Sequence, residues 1–181
     1  MKGTHQLTRE IAIDAPRDQV WAVVADSNLL PQWAPPVKQL EEVSQGPERV
    51  GTTRVCRVEF GGREGTMTER CVEFDPPRRA GYVVDDDSLG FSRMFADYGF
   101  TISIEDAGDV SIARTDTYYT PRNPLFSLMN ALIMRRRFTS TVDELLAGLK
   151  RSSEVRDQAR DDVAPPSASS LPRQPSSGEA H

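Results

Sequence analysis

The side chains that could do chemistry in this chain are few, and most are badly spaced for it. His5 and His181 are the two histidines, and they stand at opposite ends of the sequence. A Ser-His-Asp or Cys-His arrangement needs an imidazole within hydrogen-bond reach of its nucleophile, so that class is not expected. The same placement argues against a histidine-based catalytic zinc. Cys56 and Cys71 form no CxxC pair and are too few for a disulfide framework. They read as two buried, reduced thiols acting as small hydrophobes, with a redox pair or a nucleophile as the alternative. No GxGxxG or P-loop string is present, so neither a nucleotide nor another cofactor is expected. Acid–base work on a bound substrate is left to Glu69, a tyrosine or an arginine.

The elements that must position these residues follow from the hydrophobic period. Gln6–Asp14 alternates polar and apolar residues as a strand does. Pro16 fits the first turn of a short helix over 16–26, with Val20, Trp21, Val23 and Val24 on one face. A further helical turn is expected over Asn28–Trp33, before Pro35-Pro36. The period then becomes two. Strands are expected at Val37–Gln45, Thr52–Phe60, Arg63–Phe74, Arg79–Asp85, Phe91–Ile104 and Val110–Thr120, separated by turn residues. Asn123 is a good N-cap and Pro124 a good first helical residue. Apolar residues from Leu125 to Leu149 recur at helical spacing through Lys150, a helix roughly 40 Å long. The sequence thus predicts an α+β fold, a curved seven-stranded antiparallel sheet around one long C-terminal helix, with two short helices after the first strand. Such a sheet with a single long helix to cover it leaves a natural small-molecule cavity.

Register tells which side chains would face that cavity. With Gly61-Gly62 as a two-residue loop, Phe60 pairs with Arg63. Cys56, Val58, Phe60, Met67, Glu69 and Cys71 then share an apolar face, assigned inward, against Val55, Arg57, Glu59, Thr66, Thr68 and Arg70. Glu69 among apolar neighbours would have a raised pKa; a bulge or one-residue slip would instead return it to solvent. A loop at Ala107-Gly108 sets Ala96 opposite Tyr119, Tyr98 opposite Thr117 and Phe100 opposite Thr115. Met94, Ala96, Tyr98, Phe100 and Ile102 then face inward, with Asp97, Thr101, Ser103, Arg114 and Asp116 outward. From the helix, Leu125, Met129, Ile133 and residues near Phe138 would close the cavity. Each of these apolar residues is either lining or simple core. Tyr98 and Tyr119 stand apart, because a buried phenol needs a partner that a ligand can supply. Trp21 reads as core, and Trp33 as either core or a gate. Arg135, Arg136 and Arg137 spread over about 200° of a helix, so they form no single patch and at least one should point toward the sheet edge. A solvated face, an inward arginine that orients a ligand, and an anionic partner surface all remain open for them.

At 181 residues and a formal charge of −5, the chain suits one ordinary domain and does not favour nucleic acid as a partner. The domain is placed at residues 1–152. The Ser/Pro-rich stretch 153–181 has little to bury and is expected to be disordered. No stretch is long and apolar enough for a membrane span, and MKGTHQLTREIAI lacks the apolar core of a signal peptide, so a cytoplasmic protein is expected.

Three separated segments carry a resemblance: APRDQVWAVVADSNLLPQW, VEFDPPRRAGY and LMNALIMRRRFTSTVDELLAGLKRSSE. Together, over about residues 6–152, they resemble the polyketide cyclase/dehydrase branch of the START-like (SRPBCC, Bet v 1-like) superfamily. The resemblance implies a helix-grip fold. It leaves function open among lipid carriers, receptors, cyclases and stress proteins, because fold does not fix activity. The first expectation is binding, with possible transport, of a small hydrophobic or aromatic molecule such as a lipid or polyketide, by a monomer or homodimer. Its expected contacts are Trp33, Val58, Phe60, Met67, Tyr98, Phe100, Tyr119, Met129 and Ile133. The alternative is a cofactor-independent cyclase/dehydrase using Glu69. A third is a stress or toxin–antitoxin interaction partner acting through the tail.

Overall fold

A computed structural model of the chain describes residues 1–161. Strand β1 (His5–Ile13) is followed by α1 (Arg17–Val24), a 3-10 turn (Ser27–Leu29) and α2 (Leu30–Trp33). Then come β2 (Val37–Val43), β3 (Thr53–Phe60), β4 (Arg63–Asp75), β5 (Arg79–Asp87), α3 (Phe91–Met94), β6 (Phe95–Asp106) and β7 (Ser111–Pro121). The chain ends in α4 (Pro124–Met129), a π turn (Asn130–Met134) and α5 (Arg135–Asp161). The seven strands form one antiparallel sheet in the order β1-β7-β6-β5-β4-β3-β2. Register shifts in β2 against β3 and in β4 against β5 bend it. Phe138, Val142, Leu146 and Leu149 of α5 bury into the hollow of that curve. This is the helix-grip layout expected from the sequence.

The β3–β4 register is the expected one, Phe60 opposite Arg63. Gly61 and Gly62 both have positive φ, 61° and 77°, as a type I′ turn requires. Gly148 is fixed by a close approach: a Cβ there would stand 1.9 Å from the Trp33 carbonyl oxygen, so α5 can lie against the end of α2 only with glycine at this point.

Five expectations are corrected. Phe91–Met94 is a helical turn and not strand, because the Asp87 carboxylate accepts from the N–H groups of Gly90, Phe91 and Ser92 and folds the segment over. The β6–β7 loop is longer than assumed, spanning 107–110, which sets Phe100 opposite Thr117 and Ile102 opposite Thr115. A shift of two residues keeps each side chain on its face, but a second irregularity between Ala96 and Gly99 does not. It turns Phe95 inward, so Met94 packs only at the margin of the core and neither it nor Ala96 lines the space under α5. Thr101 and Asp116, expected to be wetted, are buried. The N-terminal residues supply part of the cover: Met1 lies over Gly81 and Gly99, and Thr8 donates to Asp116. Finally, helix continues past Lys150 through Ser152 to Asp161, and the rest of the expected tail lies outside the described residues.

Candidate functional site

A cavity of about 130 Å³ lies between the inner face of the sheet and α5. The even-numbered inner residues of β3 and odd-numbered ones of β4 supply Val58, Phe60, Met67 and Glu69, as the hairpin register dictates. β6 supplies Tyr98, Phe100 and Ile102, and β7 supplies Thr115 and Thr117. Trp33 closes one side from α2, Phe91 another from α3, and α5 covers it with Phe138, Thr141, Val142 and Leu145. The Phe138 ring sits among those of Phe60, Phe91, Phe95, Tyr98 and Tyr119, with centroids 5.2 to 6.1 Å away. Such tilted aromatic packing makes this wall stiff as well as apolar.

Of the residues expected from sequence, Trp33, Val58, Phe60, Met67, Glu69, Tyr98 and Phe100 come together around this cavity. Three do not. Tyr119 is buried beside it, and its hydroxyl donates to Asn130 Oδ1 at 2.7 Å. Met129 packs on the core without reaching the cavity, and Ile133 is exposed. Leu125 is exposed as well. The reason is the π turn at 130–134, which inserts a residue into the helical period. It is pinned by the Tyr119–Asn130 bond, so a pattern read at constant 3.6-residue spacing mis-aims everything before it.

Glu69 faces inward, but it is not a lone acid among hydrocarbons. Arg54, buried beside it, donates from Nε and Nη2 to Glu69 Oε2, both at 2.7 Å. Arg54 Nη1 also donates to Ser27 Oγ at 3.2 Å, and Ser27 Oγ donates to Glu48. The Arg54 guanidinium lies 4.0 Å from the centre of the Tyr82 ring, a cation–π contact. Desolvation works against the Arg54 charge, but Glu69 outweighs it, with help from Tyr82 and Cys56, and the guanidinium stays firmly protonated. Sequence reasoning passed over Arg54. The signal was present, since the same register that turned Glu69 inward sets Arg54 directly opposite it.

The rest of the lining carries polar atoms left over. Trp33 Nε1, Thr115 Oγ1 and Thr117 Oγ1 are buried and make no hydrogen bond within the chain. Among the described residues Glu69 Oε1 and the Tyr98 hydroxyl also have no protein partner. Burial, with Glu69 second, pushes the Tyr98 phenol well above its ordinary value, and burial likewise raises Tyr82. Both are neutral donors at ordinary pH. Burial drives Tyr119 up to about 12 against the opposing pull of its bond to Asn130. The arrangement is an apolar box with hydrogen-bonding groups of both kinds set into its walls.

The family model described as polyketide cyclase / dehydrase and lipid transport matches residues 4–154. The chain belongs to that family. Its fold is shared with a START superfamily protein from Mycobacterium smegmatis (TM-score 0.68, 16% identity, covering 84% of this chain and 99% of that one). It is similar to the Zhui aromatase/cyclase from a Streptomyces species (TM-score 0.67, 16% identity, 85% and 96% covered). It is also similar to norcoclaurine synthase from Thalictrum flavum, solved with dopamine and hydroxybenzaldehyde (TM-score 0.63, 19% identity, 84% and 86% covered). At these identities the likeness is one of fold. No curated protein matches the sequence. No helix among the described residues is long and apolar enough to cross a membrane.

Proposed function

We propose that this family member binds a compact aromatic molecule carrying a hydroxyl or carbonyl group in the cavity under α5. The observation that supports it most is the set of buried, unpartnered atoms on the cavity wall: Trp33 Nε1, Thr115 Oγ1 and Thr117 Oγ1. Leaving each such group unmet costs about 1–3 kcal/mol, a cost that a ligand with matching oxygens removes. Size narrows the class further. A volume of about 130 Å³ is near that of an engineered cavity that takes benzene (about 150 Å³). That suits a single ring better than a long acyl or polyketide chain. The ring would stack among Phe91, Phe100 and Phe138, and its oxygen would meet the two threonines, Trp33 or Tyr98.

The test is titration of the full chain with phenol, acetophenone and toluene, followed by Trp fluorescence and calorimetry. The oxygenated rings should bind at least tenfold more tightly than toluene, and Thr117→Val should remove much of that preference. Equal affinity for toluene, or no binding of any ring at millimolar concentration, defeats the reading.

A second reading draws on one further observation: a neutral phenol and a carboxylate share the cavity wall, Tyr98 as donor and Glu69 Oε1 as acceptor. That pair could serve a cofactor-independent dehydration of a β-hydroxyketone: Glu69 takes the proton α to the carbonyl while Tyr98 donates to the carbonyl oxygen, and the enol then returns its proton to Tyr98 as the β-hydroxyl leaves as water with the proton from Glu69. Tyr98→Phe would lower turnover of a hydroxyketone substrate while Thr117→Val altered KM alone. Unchanged turnover in Tyr98→Phe removes it.

A further inference from the structure

α4 and the π turn before α5 present something the cavity does not use. Leu125, Leu128, Leu132 and Ile133 are 70%, 58%, 69% and 51% exposed, and no residue of α4 is buried. Leu125, Leu128 and Leu132 lie on one helical face. This is not a frayed end. Asn123 caps the helix by accepting from the Phe126 N–H, and Asn130 is tied to Tyr119 from the other side. A fixed face of contiguous large apolar side chains marks a surface that meets another surface.

The charge around it says which kind. Arg135, Arg136 and Arg137 follow directly, all exposed, and Arg122 precedes. The Arg122 guanidinium donates to the Ser92 carbonyl, which brings exposed Arg93 alongside. Arg137 lies over Gly61, at the tip of the hairpin that continues into exposed Arg63. Among the described residues none of these arginines forms an ion pair, although the chain as a whole is acidic at −5. Of the nearby carboxylates, Glu59 is taken by Lys38 at 3.0 Å, Glu144 shares a groove with Arg137 and accepts from Ser140 Oγ at 3.3 Å, and Glu64 follows Arg63 on the opposite face of the strand.

We infer that this end of the molecule docks on an anionic lipid bilayer, with the four apolar side chains entering the headgroup boundary and the arginines holding phosphate and carboxylate groups around them. An apolar face bordered by cations is the pattern of an interfacial helix. A second copy of the chain fits less well, because a twofold contact sets the same patch against itself and brings arginine against arginine. Nucleic acid would satisfy the arginines but offers nothing to the leucines. The inference is independent of what the cavity holds.

Flotation of the full chain with phosphatidylcholine vesicles, with and without phosphatidylserine, decides the matter. The protein should rise with the phosphatidylserine vesicles and stay behind with phosphatidylcholine alone, and added salt should weaken the association. Leu128→Glu with Leu132→Glu should lower the partition at least tenfold. Arg136→Gln should lower it about fivefold, the scale of one basic residue near an anionic surface. All three side chains are exposed, so melting temperatures should not move. Equal flotation with both vesicle types refutes the anionic surface. Absence of flotation, with a concentration-dependent dimer that Leu132→Glu dissolves, overturns it in favour of self-association.

Discussion

Removing one partner of the buried Arg54–Glu69 pair should nearly unfold the protein, and removing both should not. The two side chains are 5% and 9% exposed, and two bonds of 2.7 Å join them. In Arg54→Met the Glu69 carboxylate loses its donors while still buried in a cavity wall it shares with Val58, Met67 and Tyr82. In Glu69→Leu the guanidinium keeps Ser27 and the Tyr82 ring but has no counter-charge. An uncompensated buried charge costs about 3–5 kcal/mol, whereas replacing the whole pair by hydrocarbon of similar volume is often neutral or stabilising. With a urea slope of about 2 kcal/mol/M, each single substitution should lower the unfolding midpoint by about 1.5–2.5 M. Arg54→Met with Glu69→Leu should recover most of that loss, and the double-mutant cycle should give a coupling of about 3 kcal/mol or more. Urea unfolding followed by circular dichroism measures all four proteins. If a single variant loses less than about 1 kcal/mol, as solvated ion pairs do, the pair is hydrated and the reasoning fails. Should neither single variant fold, the double variant still decides: it must fold.

Two further outcomes can be checked in the same preparations. Burial, reinforced by Glu69, pushes the Cys56 thiol up to about 12, and burial raises Cys71 to about 11. Neither should react with Ellman's reagent at pH 8 in the native state, and both should react after denaturation; prompt native labelling would show the sheet to be open there. At Asp87, burial opposes the charge, but the N–H groups of Ser92, Phe91 and Gly90 outweigh it and hold the carboxyl below its usual range. A folded value below the unfolded one contributes stability above the ordinary carboxylate pKa and loses it as pH falls through the folded value. Asp87→Asn should therefore cost about 1 kcal/mol at pH 7, the scale of a lost helix cap. The gap to the unmodified protein should close below about pH 4. A gap that is the same at pH 7 and pH 3 would mean the carboxylate is not what holds α3.

Much of the fold could be read directly. The change of period at Val37, the Gly61-Gly62 turn and the Asn123-Pro124 cap are local signals, and the structure has a strand, hairpin and helix start at those places. The inward face of β3 and β4 was equally legible, because one turn of known length fixes every pairing after it. Arg54 opposite Glu69 was contained in that same register and went unnoticed, since a charged residue on an apolar strand is easily taken for an outward one. The β6–β7 side was less legible. Its loop length and the irregularity between Ala96 and Gly99 have no composition signature, and a helical turn at Phe91 arises only when Asp87 reaches forward to cap it.

Local sequence therefore determined which segments are strand and which are helix, their order, and the inner face of the first long hairpin, because these depend on residues within a few positions of one another. Only the folded molecule decided how much space remains under α5, which polar atoms are left without partners, and that the leucines before Arg135 point to solvent. Each of those depends on surfaces distant in sequence coming into direct contact: α5 against the Trp33 carbonyl at Gly148, and the π turn against Tyr119. Periodicity records a preference for burial, but whether a partner surface exists to satisfy it is settled in three dimensions.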